Sequence, residues 1–412
     1  MVFLRGGAPG DLVEAELEGP GSAGRFARAR VLRVLEPGAS RVPAPCPIVD
    51  RCGGCPVQHV AYPEQLRAKH ALAVDALSRI GGIAARDLEV APAVPSPREL
   101  RYRRRARLHR GPGGAWGFSS GESVELVEEC LLFEPGLQGL FDEVRARIAE
   151  LGGLSPVTDL GLDTSDAGKG AADLRTAAAP GKALREKALR LLEAVPRLRG
   201  LTLGPPGEAQ LLGDPVLADQ PTSLDGSAAR FRLRSRPDLF AQANRAAVPL
   251  LQAAALEALG DAAFGRVLEL YCGAGTLTLP LLSRARTVIG VEGAAPSLAL
   301  LRKSADEAGL SRGLRLVAGD AAEVAKGLLA AEEGALDAVL LDPPRTGARE
   351  AASAAARLRP RRIVYVSCDA PTLGRDAKDL AALGYRLSRA VPLDLFPQTA
   401  HLELVATFDR TA

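Results

Sequence analysis

The chain has 412 residues, of which 47 % are hydrophobic and 25 % charged, with a formal net charge of +3. That length allows two or three domains and a sizeable core, and the composition excludes a disordered chain. No run of about 18 uncharged apolar residues occurs, which argues against a membrane span or membrane partner.

The opening "MVFLRGGAPGD" lacks the basic-then-apolar pattern of a secretory signal. The expected compartment is the cytoplasm, where clustered cysteines are ligands more often than disulfides. A monomer is expected. Arg outnumbers Lys 45 to 7, a skew that reads as a GC-rich genome, so only local clustering of arginine bears on nucleic acid.

Residues 10–35 alternate apolar and polar around a Gly/Pro turn, predicting two half-buried strands of a small β-barrel. Residues 46–59, "CPIVDRCGGCPVQH", then place Cys46, Cys52 and Cys55 within ten positions. This is C-x5-C-x2-C, without the second C-x-x-C or Cys/His pair usual in zinc sites. The next cysteine, Cys130, lies 75 positions after Cys55. Four thiolates suit a cubane iron–sulfur cluster; zinc, with His59 as a further ligand, stays open on spacing alone. Residues 63–82 have the apolar spacing of an amphipathic helix ending at Gly81-Gly82. The stretch "RELRYRRRARLHR", residues 98–110, holds seven arginines and one Glu. It reads either as a solvated basic strand or as a phosphate-contacting surface. Residues 90–235 show weak periodicity, and 161–182, rich in Gly and Ala, read as turns or loops.

From about residue 240 the pattern becomes regular. "RVLELY", "TVIGVE", "LRLVAG", "LDAVLLD" and "RRIVYVS" are short apolar runs, each followed by a helix-compatible stretch. Strands alternating with helices predict an α/β fold with a parallel, doubly wound sheet covered on both faces. The first run enters "YCGAGT", where Gly273 and Gly275 permit a tight turn and close backbone approach to a ligand. The second ends in Glu292, a carboxylate able to accept from both hydroxyls of a ribose. The loop lacks the phosphate cradle G-x-x-x-x-G-K-[ST], which favours S-adenosylmethionine over ATP. The fourth run ends in "LDPPR", putting Asp342 at the crevice. The fifth leads into "VSCDAPTLGRD", putting Cys368 at the same edge, with Arg375 as a candidate partner. Cys272, inside the glycine loop, reads as structural.

These segments resemble the S-adenosylmethionine-dependent RNA uracil-5 methyltransferases. The resemblance runs from about Gly10 to Phe408 and is strongest in "LFAQAN", "ELYCGAGTLTLP", "LDPPRTGA", "VSCDAPTLGRD" and "DLFPQTAHLELVATF". With "CGGC", "QH" and the Y-x-x-Q-L of Tyr62 to Leu66, it is closest to members that act on 23S ribosomal RNA. It implies a C-terminal Rossmann-like methyltransferase domain over 237–412. Before it come a central α+β region carrying an iron–sulfur site over 46–236 and a truncated barrel of the TRAM type over 1–45. The N-terminus resembles the middle of the family's barrel, so either the barrel is trimmed or Met1 is not the true start.

The resemblance further implies Cys368 as nucleophile, Glu403 as the base that removes the C5 proton, and Asp342 as a residue orienting uracil or cofactor. Gln242, Tyr271 and Glu292 match positions that contact S-adenosylmethionine, and Cys46, Cys52, Cys55 and Cys130 match the ligands of a [4Fe-4S] cluster. A structural or RNA-positioning role is expected for that cluster, since nothing in methyl transfer needs an electron. The chemistry suits these residue types: uracil C5 is a poor nucleophile until a thiolate adds at C6, and a base must then take the C5 proton. The expected partner is RNA, 23S rRNA before tRNA, with the target base taken out of its stack. The alternatives are methylation of tRNA uracil-54 and an inactive iron–sulfur RNA-binding protein. The chain departs from the family at Ala370, which shifts the following proline by one, at Leu277 for the usual Phe, and at Thr276 for a frequent Asn.

Overall fold

The computed structural model describes residues 2–20, 26–120, 123–224, 226–260, 265–331 and 335–411. All five apolar runs of the C-terminal half are strands: Arg266–Leu270, Thr287–Glu292, Leu314–Ala318, Ala338–Leu341 and Arg362–Ser367. They pair in parallel. Alternate side chains point to opposite faces, and both faces are covered. Leu268, Ile289 and Val339 join one core, while Val267, Val288, Leu340 and Val364 join the other. Strands Glu403–Arg410 and Tyr385–Leu393 complete one edge in antiparallel pairing. Across the sheet the order is 314–318, 287–292, 266–270, 338–341, 362–367, 403–410, 385–393. The order reverses between Arg266–Leu270 and Ala338–Leu341, so the ligand crevice lies beyond their carboxyl ends.

The helix predicted after the cysteines spans Tyr62–Asp75 and continues as a wider turn over Ala76–Ile80. Its Ala73, Ala76 and Leu77 are buried in the C-terminal core. The close crossing with the helix Ala370–Ala382 depends on Gly374, where a Cβ would stand 2.5 Å from the Ala76 carbonyl oxygen. Val90 and Val94 also bridge to Ala390 and Leu393 at the sheet edge. The cysteine-bearing half is thus wedded to the helix that follows Cys368.

Between these parts lies a second seven-stranded sheet, ordered 210–213, 198–204, 170–175, 159–164, 105–110, 116–120, 123–126. Helices Pro135–Glu150 and Lys182–Ala194 supply its hydrophobic cover. The stretch 161–182, expected as turns, instead contains most of a buried hairpin, Asp159–Thr164 with Gly170–Arg175. Its Gly and Ala content reflects tight packing under Leu140, which leaves 2.7 Å for a Cβ at Gly170, and not a loop.

The arginine-rich stretch is no continuous outward face. Buried Arg104 is held by Asp163 and Asp219. Arg105 donates to the carbonyls of Pro237 and Leu239, Arg107 pairs with Asp173 and Arg101 with Glu129. Arg104 and Arg105 tie the central sheet to residues 219 and 237–239, while Arg107 pairs within it.

At the N-terminus the described strands form an open three-stranded sheet, Val2–Arg5 beside Ala27–Glu36 beside Leu12–Pro20, and do not close a barrel. The expected half-burial holds only in part: Ala29 is buried and Val13, Val31 and Val34 are half-buried, whereas Leu12, Leu17 and Leu32 are 53, 67 and 54 % exposed. Alternation correctly marked the strands, of which one face is partly covered around Ala29 and Val31. Arg41 anchors the sheet by gripping the carboxylate of Asp11, which that pairing holds well below the usual carboxylate range.

Candidate active site and cysteine centre

The strand Arg266–Leu270 turns sharply at Tyr271, a non-glycine residue with φ of +63°. Gly275 has φ of +95°, and a Cβ there would meet Leu301 Cδ1 at 2.4 Å, so only glycine lets the loop settle onto the helix Ala295–Glu307. The Glu292 carboxylate accepts from the N–H of Gly273 at 3.0 Å and of Ala294 at 2.8 Å. Each oxygen keeps a lone pair for a further donor. Gln242 is buried and lines a cavity of ≈ 520 Å³ that also reaches Ala274 and Thr276 of the glycine loop. That cavity flanks the loop and contains neither Asp342 nor Cys368 nor Glu403.

Sheet register brings the expected reacting groups together. Ser367 pairs with Leu404 in the antiparallel ladder, so one step further sets Cys368 opposite Glu403. Leu341 pairs with Leu270, so the next step sets Asp342 beside Tyr271. Glu403 is buried, and its carboxyl is pushed well above the ordinary range by burial first and then by Asp342. Burial likewise pushes Asp342 up to about 7. Burial thus disfavours the charged form of both carboxyls, and a charge on Asp342 disfavours it further at Glu403. The Cys368 thiol is pushed up to about 11, by burial and then by Glu403, while Arg345 pulls it down. Arg345 therefore takes the place expected for Arg375, which turns away to Asp376 and the Thr346 carbonyl.

The strand bearing Glu403 is preceded by a loop, residues 394–402, that is held from outside its own sheet. Lys69 donates to Asp394 at 2.5 Å and to the Phe396 carbonyl at 3.0 Å. Gln65 and Gln398 exchange hydrogen bonds, both at 3.0 Å. The Tyr102 hydroxyl donates to the Pro397 carbonyl at 3.0 Å.

Cys46, Cys52, Cys55 and Cys130 line one small cavity, walled by apolar groups such as Phe118, Val127 and Leu132. Chain folding has brought Cys130 to the other three. Among the described residues no group of three or more His, Cys, Asp or Glu is arranged to hold a metal ion. His59 turns its Nε2 to the Gly7 carbonyl at 3.1 Å. Gln58 beside it accepts from the Cys46 N–H at 2.9 Å. Burial and neighbouring thiols raise Cys55 to about 12 and push Cys52 and Cys130 up as well. Cys272 is buried and packs in the core of the C-terminal sheet.

The 23S rRNA (uracil(1939)-C(5))-methyltransferase RlmD of Pseudomonas fluorescens is 35 % identical over 416 residues, covering 99 % of this chain and 89 % of that protein. The chain belongs to the RNA uracil-C5 methyltransferase family. RlmD of Pseudomonas aeruginosa is likewise 35 % identical over 424 residues, with 99 and 89 % coverage. The family model for tRNA (Uracil-5-)-methyltransferase matches residues 221–410. The fold is shared with the Pyrococcus abyssi tRNA (uracil-54, C5)-methyltransferase, solved in complex with S-adenosyl-L-homocysteine. The TM-score is 0.73 at 23 % identity, covering 98 % of this chain and 95 % of that one.

Three residues of this uracil-C5 methyltransferase escaped the reading of motifs. Arg345 was visible in "LDPPR", but only its placement near Cys368 and Glu403 shows its electrostatic effect on both. Glu269 lies mid-strand, where a carboxylate is unexpected; burial pushes it up to about 8 and its Oε2 has no hydrogen-bond partner among the described residues. Lys69 looked like the polar side of an amphipathic helix, yet it is buried against Asp394.

Proposed function

We propose that this enzyme methylates C5 of a uridine in 23S rRNA through a covalent adduct between Cys368 and C6 of the base. The carrying observation is the ladder that sets Cys368 opposite Glu403, with Asp342 and Arg345 acting on the same pair. The RlmD relatives support rRNA as substrate.

Bound S-adenosylmethionine would supply an electrophilic methyl group. Glu292 and the Gly273–Gly275 turn would hold its nucleoside, the carboxylate accepting from the ribose hydroxyls. Gln242 shares a cavity with Ala274 and Thr276, and Tyr271 begins the turn. Thiolate addition of Cys368 makes the S–C6 bond and moves the C5–C6 electron pair toward the C4 carbonyl oxygen, leaving an enolate. Arg345 stabilises both the thiolate and the charge that develops on the base. Once C5 carries the methyl group, Glu403 removes the C5 proton. The electron pair returns to C5–C6 and the S–C6 bond breaks, so one methyl cation equivalent enters and one proton leaves. The raised basicity of Glu403 suits that step, because an ordinary exposed carboxylate would be too weak a base. Asp342, half-protonated near neutrality, can donate to the uracil edge.

The cysteine centre fits a [4Fe-4S] cluster held by Cys46, Cys52, Cys55 and Cys130. In a cubane each thiolate binds a different iron, a donor set that four cysteines supply without a histidine. When present, the cluster would cross-link residues 46–55 to Cys130 and supply no step of the methylation.

The test uses 5-fluorouridine-substituted RNA, whose C5 substituent Glu403 cannot remove. Wild-type enzyme with S-adenosylmethionine and a substituted 23S rRNA fragment should accumulate a denaturation-resistant protein–RNA adduct, and Cys368→Ala should not. Failure of wild type to form it, or an adduct in Cys368→Ala, rejects the mechanism. Preference for a tRNA transcript over the rRNA fragment rejects the substrate.

A further inference from the structure

Arg103 differs from its neighbours in the arginine-rich stretch. Arg101, Arg104 and Arg107 each pair with a carboxylate, and Arg105 donates to backbone carbonyls. Among the described residues no carboxylate forms an ion pair with Arg103, and its Nε is buried without a hydrogen-bond partner. Its backbone is clamped to the segment just after Cys130: its N–H donates to the Leu132 carbonyl at 2.7 Å, and its carbonyl accepts from the Glu134 N–H at 2.8 Å. Its guanidinium lies close enough to Cys52, Cys55 and Cys130 to act on all three electrostatically, and against the Tyr102 hydroxyl. That hydroxyl donates to Pro397, in the loop that leads to Glu403.

A cation held partly out of water without a counter-charge is strongly disfavoured. Four thiolates around a cluster carry more negative charge than the core offsets, and charge and hydrogen bonding near the sulfurs tune such centres. We propose that Arg103 is the counter-charge of the group held by the four cysteines. Through Tyr102, it ties that centre to the Pro397–Gln398 segment that positions the Glu403 strand. Arg103 is thus a positioning residue and touches no reacting atom. The inference rests on the iron–sulfur reading above.

The test compares anaerobically purified full-length wild type with Arg103→Gln, Arg103→Lys and Tyr102→Phe. Iron and sulfide per chain, the visible absorption of the cluster and its reduction potential in a dithionite titration are measured. Removing a nearby positive charge disfavours the more negative, reduced form. Arg103→Gln should therefore shift the potential to a more negative value or lose several-fold in iron occupancy, with Arg103→Lys restoring most of either loss. Unchanged potential and occupancy in Arg103→Gln overturn the proposal. So does an Arg103→Lys variant as defective as Arg103→Gln, which would make the role one of shape and not charge. Tyr102→Phe should keep its iron and yet lower kcat several-fold with KM for RNA little changed; wild-type turnover would overturn the link to the loop. A wild-type chain that holds no iron and sulfide rejects the underlying cluster reading, an outcome distinct from all of these.

Discussion

Asp342 and Glu403 illustrate what a residue owes to its surroundings. Neither carboxylate is unusual by itself; burial raises both, and Asp342 raises Glu403 further. For Asp342, the folded state holds a proton that the unfolded chain has lost between about pH 4 and about pH 7. Stability contributed at this position therefore declines as pH rises through that window, and the penalty is complete above it. Asp342→Asn should melt at the same temperature as wild type below about pH 4. It should become the more stable protein by a few degrees above about pH 7, while losing activity. A gap that is constant with pH in melting curves would show that Asp342 is not the group being titrated.

Among the elements, the loop 394–402 matters most, because it delivers Glu403 yet is secured by distant segments of chain. Lys69 and Asp394 form a buried pair with side chains 3 and 0 % exposed. Removing one partner of such a pair leaves an uncompensated charge, at a cost of about 3–5 kcal/mol. Lys69→Ala should therefore lose stability of that order in denaturant titration. Lys69→Met with Asp394→Asn should recover much of it, since the double change removes both charges. At the loop itself, both variants should turn over more slowly than wild type, because the Phe396 carbonyl loses its donor.

At the scale of the whole molecule, the cysteine-bearing half and the methyltransferase sheet are one packed body. Ala73, Ala76 and Leu77 sit in the C-terminal core, and Val90 and Val94 extend its sheet edge. Residues 237–412 expressed alone would leave that apolar surface open to water. They are expected to bind a hydrophobic dye and to aggregate at concentrations where the full chain is clear. A monodisperse fragment with the full chain's melting temperature would show that residues 62–94 are dispensable to the core.

The strands of the C-terminal sheet were legible because parallel strands buried on both faces read as short apolar runs. The glycine turn and the strand-end positions of Glu292 and Cys368 were legible because each lies where a short apolar run stops. The buried hairpin at 159–175 was missed because small residues that pack tightly carry the same composition as a turn. The open N-terminal sheet was taken for part of a barrel because alternation reports strand periodicity and not what covers the faces. Arg345, Lys69 and Arg103 were hidden for a further reason: a cation's role depends on which anion faces it, and facing is a matter of register and crossing angle. Sequence alone determined the family, the methyltransferase sheet and the candidates for reacting groups. Only the tertiary structure decided that Cys368 faces Glu403, that Cys130 joins three cysteines far away in the chain, and that the cysteine region braces the catalytic loop. Local pattern encodes which atoms are available, whereas long-range packing sets the distances on which their charges and proton affinities depend.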